Sequence, residues 1–424
     1  LGVKRWLAVL VFGIGLTGLG LASALLLSYD PPPSTDWLAL PLLEPLSAGL
    51  RATLVTLAGI AASLLSILRL NRSLLLPYIR PGRPVVEVVA KHRRLGRGPR
   101  IVAIGGGTGL STLLRGLKDH TRNLTAIVTM ADDGGSSGRL RKSLGLPPPG
   151  DLRACLAALS DDEDLLTQLF QYRFLKGEEL EGHSFGNLFI AALTGVTGSF
   201  DEGILEAGRV LSISGRVLPS TLSDVALAAD KFDIQAVRVE GESRIPEVPG
   251  RIRRIFLEPS DPPAYPAAIH AILKADMLVI GPGSLYTSVL PNLLVSDIAD
   301  AIRSSRAFRV YVCNVATQKG ETEHYNCGDH WRAIVDHAGD GLVDLVVAND
   351  CLDARMPDDA TAVDPPENGL VDIPVYTTDL VNHERPWRHD AGQLAERLIS
   401  LLEERTGPLE LPQMEQLESI GGLN

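Results

Sequence analysis

The stretch Ile101–Arg141 decides the fold: IVAIGGGTGLSTLLRGLK at 101–118, then LTAIVTMADDGGSSGRLR at 124–141. An apolar, β-branched run enters a glycine cluster (Gly105, Gly106, Gly107, Gly109) and an amphipathic helical pattern follows. A second apolar run then ends in Asp132, Asp133 and the segment Gly134, Gly135, Ser136, Ser137. A strand delivered to the N-terminus of a helix presents unpaired N–H groups and the positive end of the helix dipole, which suits an anion. Glycine lets the backbone come close to that anion. The outline is a phosphate-binding βαβ unit. Thr108 and Ser111 are placed to cap the helix or donate to a phosphate oxygen. Asp132 and Asp133 stand where a carboxylate reaches a ribose hydroxyl, or where a pair holds Mg²⁺ against a diphosphate. A dinucleotide fingerprint would need glycine at Leu110, and a P-loop would need Lys-Ser/Thr, so neither NAD nor ATP is assigned.

Downstream, apolar runs continue to alternate with helical patterns. Strands are expected near 101, 124, 232 (FDIQAVRV), 252 (IRRIFLEP), 276, 308 and 342, and helices at 110–117, 151–159, 164–174, 186–193, 266–273, 284–290 and 391–404. Such alternation predicts an α/β fold, a Rossmann-like, mostly parallel sheet with helices on both faces. Residues 220–255 are expected to form an antiparallel excursion from it.

The first quarter of the chain is of another kind. Trp6 to Leu27 and Ala52 to Leu68 are uncharged runs within or near membrane-spanning length. Lys4 and Arg5 precede the first, no Lys or Arg lies between 28 and 50, and Arg69, Arg72, Arg80 and Arg83 open a basic stretch after the second. By the positive-inside rule both ends are cytoplasmic and a short outer loop with Trp37 joins the helices. LLLSYDPPP offers no small-residue cleavage pattern for a signal peptide. The expected organisation is a two-helix transmembrane hairpin at 1–72 (helices about 6–27 and 50–70), a basic juxtamembrane linker at 73–99, an α/β domain at 100–406 and a tail at 407–424. The chain opens with Leu rather than Met, and its true start is left open.

Residues 1–100 carry 12 Lys/Arg against 4 Asp/Glu, whereas the chain's net charge is −11, so residues 101–424 carry −19. An acidic domain argues against nucleic acid as partner, and the basic segment suits anionic headgroups. Cys155, Cys313, Cys327 and Cys351 form no C-x-x-C pair, and the nine histidines form no metal-binding pattern.

Three further segments look chemical. In DMLVIGPGSLYTSVLPNLL (276–294), a strand runs into Gly281, Pro282, Gly283 and Ser284, and the following helix is expected to offer N–H groups beside Ser284 and Thr287 to an anion or sugar. GHSFGNL (182–188) puts Ser184 at a helix cap and Asn187 within reach of a ligand. NVATQKGET (314–322) places Asn314, Thr317, Gln318 and Glu321 on a loop at a strand end. PPPGDLR (147–153) sets Asp151 as an ordinary cap with Arg153 a turn in, and GGSSGRLRK, read as a loop, carries Arg139, Arg141 and Lys142 as phosphate partners or solvated charge.

GGGTGLSTLLRGLK, TMADDGGSSGRLR, PPPGDLR, GHSFGNL, GPGSLYTSVLPNLLV and NVATQKGET, in that order, closely resemble the YvcK-like gluconeogenesis factor family within the CofD-like superfamily, over roughly 100–404. The resemblance implies a Rossmann-like fold that binds UDP-N-acetylglucosamine and supports cell shape and envelope synthesis on gluconeogenic carbon sources. The implied ligand residues are Gly105–Gly109, Asp132–Ser137, Arg139, Asn187, Gly281–Ser284 and Thr317. The superfamily's enzyme branch, 2-phospho-L-lactate transferase, implies the alternative: a Mg-dependent transferase in which Asp132 and Asp133 would be catalytic or metal-binding. Envelope-synthesis proteins and a second copy of the chain are the partners compatible with the regulator, which the membrane hairpin favours by holding a sensor beside lipid-linked steps.

Overall fold

The computed structural model describes residues 3–27, 46–75, 94–160, 165–353, 355–358, 360–366, 370 and 372–406. The outer loop with Trp37, most of the basic linker and the tail from 407 lie outside these residues. The chain divides into two units, 1–93 and 94–424.

The first unit is a helical pair, α1 (Val3–Leu26) and α2 (Ala48–Leu75). Both are long and apolar enough to cross a membrane. The helices approach through small residues. A Cβ on Gly13 would lie 2.6 Å from Ser63 Oγ, and one on Gly59 would lie 2.5 Å from the backbone N of Thr17. Close backbone approach of this kind is how apolar helices associate where no hydrophobic effect separates them from their surroundings. Val11, Phe12, Leu25 and Leu68 face outward.

In the second unit ten strands are described: β1 (Ile101–Gly105), β2 (Leu124–Val128), β3 (Arg216–Pro219), β4 (Ala226–Phe232), β5 (Ala236–Glu240), β6 (Arg251–Glu258), β7 (Met277–Ile280), β8 (Phe308–Val312), β9 (Leu345–Asn349) and β10 (Val375–Thr378). The helices are α3 (Gly107–Leu117), α4 (Gly135–Leu144), α5 (Gly150–Leu159), α6 (Leu165–Gln171), α7 (Phe185–Thr197), α8 (Phe200–Val210), α9 (Pro266–Leu273), α10 (Leu290–Leu293), α11 (Ser296–Ser304), α12 (Cys327–Ala338) and α13 (Ala391–Thr406). Seven strands form one parallel sheet in the order β10-β9-β8-β7-β1-β2-β3.

Both faces of this sheet are covered, which is why its inner strands β1, β2, β7 and β9 read as apolar runs. Alternate side chains feed two cores. Ile101, Ala103, Ala126 and Val279 pack with α3, α5 and α13, while Val102, Ile104, Ile127 and Leu278 pack with α9, α11 and α12. The antiparallel excursion is a separate three-stranded sheet, β5-β4-β6, whose Leu227, Val239 and Ile255 join the second core. The run at 232–239 is a hairpin rather than one strand: β4 ends at Phe232 and β5 begins at Ala236. GGSSGRLRK is not a loop either, since it forms the first two turns of α4.

Candidate functional site

Strand order reverses direction at β1, which is flanked by β2 on one side and by β7 on the other. In an open parallel sheet that reversal leaves a crevice at the carboxyl ends of the strands. Here β1 and β7 run in register, Ile104 opposite Ile280, so the turns that follow them meet. A Cβ on Gly109 would stand 2.6 Å from the carbonyl oxygen of Pro282, so glycine is what allows the two loops to pack. Asn292, fully buried on α10, donates from Nδ2 to Gly105 O (3.0 Å) and Ser288 O (2.8 Å) and ties the second loop's helix to the end of β1.

A cleft of about 670 Å³ opens there, a size suited to a nucleotide-sized ligand. Gly106–Gly109 and Thr112 form one wall, Pro282–Ser284 and Ser288 another, and Asn314–Lys319 with Glu321 a third; Trp387, Arg388 and His389 complete the rim. Gly107 opens α3 with a positive φ of 60° and Gly106 occupies the cap. Ser111 neither caps nor reaches the cleft, because its hydroxyl donates back to Gly107 O. Thr317 lines the cleft with its hydroxyl paired to Thr361. Lys319 and Arg388 are exposed cations at the rim. His389, buried against Cys313 O, is pushed down to about 4 and stays neutral.

Behind the glycine loop, next to the cleft but outside its lining, lies an acidic corner. Asp132 accepts from Gly134 N (2.9 Å), whereas Asp133 turns the other way and accepts from Ser243 N (2.9 Å), so the two adjacent carboxylates hold different elements. Asp151 is not a cap. Pro149 occupies the cap of α5, and Asp151 instead accepts from Gly107 N and lies 2.5 Å from where a Cβ on Gly106 would stand. Burial, then the charge of Asp132, pushes Asp151 up to about 6. Glu242, from a turn of the inserted sheet, is pushed up to about 8 by burial and by Asp132, Asp151, Glu321 and Asp133. Asp132 is raised too, chiefly by burial. No local pattern marks Glu242 in the sequence; it comes to the corner by tertiary folding alone.

The other expected contacts divide. Ser136 is consumed by packing: its hydroxyl sits 3.0 Å from His183 Nδ1 and accepts from Ser184 N and from Asn187 Nδ2. Ser184 caps α7, as its sequence context predicts. Asn187 Oδ1 is buried without a partner, and so is Gln318 Oε1, beside Ser284 in the cleft; buried acceptors of this sort are rare unless something donates to them. Arg141 is committed to Asp224 and Val225 O, while Arg139 is exposed beside Gly182.

The helix after the second glycine turn also departs from expectation at Tyr286 and Thr287. The N–H groups that follow Ser284 do not await an anion, because the buried carboxylate of Glu321 already accepts from the amides of Tyr286 (3.3 Å) and Thr287 and from Thr287 Oγ1 (3.0 Å). Burial pushes Glu321 up to about 7 against those bonds. The loop that carries it is pinned by Lys231, whose buried Nζ donates to the carbonyls of Ile245, Val248 and Gly320. Among the described residues no three His, Cys, Asp or Glu side chains converge closely enough to hold a metal ion by themselves.

The family model described as 2-phospho-L-lactate transferase CofD matches residues 101–404. A putative gluconeogenesis factor from Nostoc sp. (strain PCC 7120) is 51% identical over 350 residues, 79% of this chain and 74% of the relative. The gluconeogenesis factor of Bacillus subtilis is 46% identical over 325 residues, 73% of this chain and all of the relative. Among solved structures, a UPF0052 family member from Bacillus halodurans superposes with a TM-score of 0.67 at 46% identity, covering 71% of this chain and 99% of that one.

Proposed function

This chain belongs to the CofD family, among the relatives called gluconeogenesis factors, and from that membership we propose that it is a membrane-anchored regulator that binds UDP-N-acetylglucosamine and adjusts envelope synthesis and cell shape during gluconeogenic growth. The observation that carries the reading is the cleft at the strand-order reversal, with two glycine turns packed at its base and Lys319 and Arg388 at its rim. The diphosphate lies along Gly106–Gly109 and meets these two cations. The uracil stacks on Trp387, which lines the cleft. The domain lies on the cytoplasmic side, where such a ligand is made and used.

Calorimetry on the purified full chain in detergent tests this. UDP-N-acetylglucosamine is expected to bind, and Lys319→Ala/Arg388→Ala to weaken it about tenfold or more through lost charge-assisted contacts. Gly107→Trp, which fills the cleft, is expected to abolish binding. Unchanged affinity in both variants sinks the site.

The acidic corner favours one second reading, a transferase acting on a nucleotide-diphosphate donor. Mg²⁺ is held by one or two carboxylates together with substrate phosphates, and Asp132 with Asp151 would supply that share beside the glycine loop. Bound there, the ion would supply charge neutralisation to the donor's phosphates, so that a phospho-group passes to the acceptor and a nucleoside monophosphate departs, while the chain orients donor and acceptor. Incubation with Mg²⁺, candidate donors and acceptors, followed by mass spectrometry for a transferred group, separates the two readings.

A further inference from the structure

The opposite edge of the sheet holds a hollow of another character. At the amino ends of β1, β2 and β3, about 380 Å³ is lined by Arg100, Arg122, Arg216, His270 and Lys274, with Asn123 between them. Arg100 is paired with Asp276 at 2.6 Å, which offsets its charge. Arg216, His270 and Lys274 are exposed, and Arg216 reaches Thr125 Oγ1 at no better than 3.4 Å. Against the −19 carried by residues 101–424, Arg100, Arg122, Arg216 and Lys274, from the leads into β1 and β2, from β3 and from the end of α9, gather positive charge around one concavity.

We propose that this hollow is a second anion site, which receives the phosphate headgroups of acidic lipids. Connectivity argues for that source. The chain enters the domain through Arg94, Arg97 and Arg100, and Arg100 is itself part of the lining. Eighteen residues separate Leu75 at the end of α2 from Arg94, a reach of at most about 60 Å. An anionic leaflet attracts clustered Lys and Arg within a Debye length of its surface. The inference rests on residues of the α/β domain and not on the ligand of the glycine cleft, so either can fail alone.

The test uses residues 94–424. A relative all of whose length is covered by about three quarters of this chain, and a solved one covered to 99%, indicate that the domain folds without the hairpin. Co-sedimentation is measured with phosphatidylcholine vesicles with and without phosphatidylglycerol. The fragment is expected to partition onto the anionic vesicles alone. Arg216→Gln/Lys274→Gln should weaken partitioning about 25-fold, near fivefold per charge, with the thermal transition unchanged. Arg238→Gln/Arg332→Gln, exposed arginines elsewhere, should leave it unaltered. Equal loss in both double variants, equal binding to the neutral vesicles, or stabilisation by inorganic phosphate without vesicle binding would each overturn the proposal.

Discussion

Replacing Glu242 by Gln should make the protein more stable above pH 8 and nearly unaffected at pH 4.5. Glu242 sits among Asp132, Asp133, Asp151 and Glu321, and burial together with these like charges lifts it from 4.5 to about 8. A carboxyl whose folded pKa lies above its unfolded value favours the fold while protonated. That contribution is complete below about pH 4.5 and disappears as pH rises through 8. At 1.36 kcal/mol per unit, the full shift corresponds to about 5 kcal/mol. Partial exposure of the corner screens this, and about 2 kcal/mol is a realistic gain for the amide at pH 8.5. Urea unfolding of both proteins at pH 4.5 and 8.5 provides the comparison, with the midpoint shift read at constant m-value. If Gln changes stability equally at the two pH values, or destabilises only at the higher one, Glu242 is not crowded by neighbouring negative charge and the acidic corner is wrongly drawn.

Glu321→Ala would strand the amides of Tyr286 and Thr287 in a buried turn; a loss of about 1–3 kcal/mol is expected by thermal unfolding, and a neutral result would mean the carboxylate is not their partner. A reporter active only in the cytoplasm, fused after Asn424, should give signal, whereas signal from a periplasm-active reporter at the same place would overturn the hairpin topology.

Where the sequence is legible, side-chain period and burial agree. β1, β2, β7, β8 and β9 are dense β-branched runs because both sheet faces are covered, and α3, α9 and α13 announce themselves by apolar spacing. The segment at 135–144 reads as a loop because glycines, serines and cations dominate it; what makes it a helix is the tertiary lock of Ser136 with His183 and Asn187. Helices α8, α11 and α12 also carry signals in the sequence: Phe200, Ile204 and Ala207 in α8 and Ile298, Ala299 and Ile302 in α11 recur at helical spacing, and Asn326 with Asp329 forms a capping box at the start of α12. For the candidate site, the glycine turns are readable because they demand a residue type. Asp151 is not, since the same Asp at a helix start serves equally as a cap, and only the proline ahead of it takes that role away.

The central place of β1 also sets the order in which the molecule can be completed. One of its edges is covered by β2 soon after synthesis, but the other waits for β7, some 170 residues later. At 5–20 residues per second, that edge stays open for roughly 9–34 s. The glycine loop thus emerges early and acquires its opposing wall late. A ribosome stalled anywhere in the inserted sheet would leave an unpaired apolar strand exposed to aggregation, with no half-made cleft able to bind ligand.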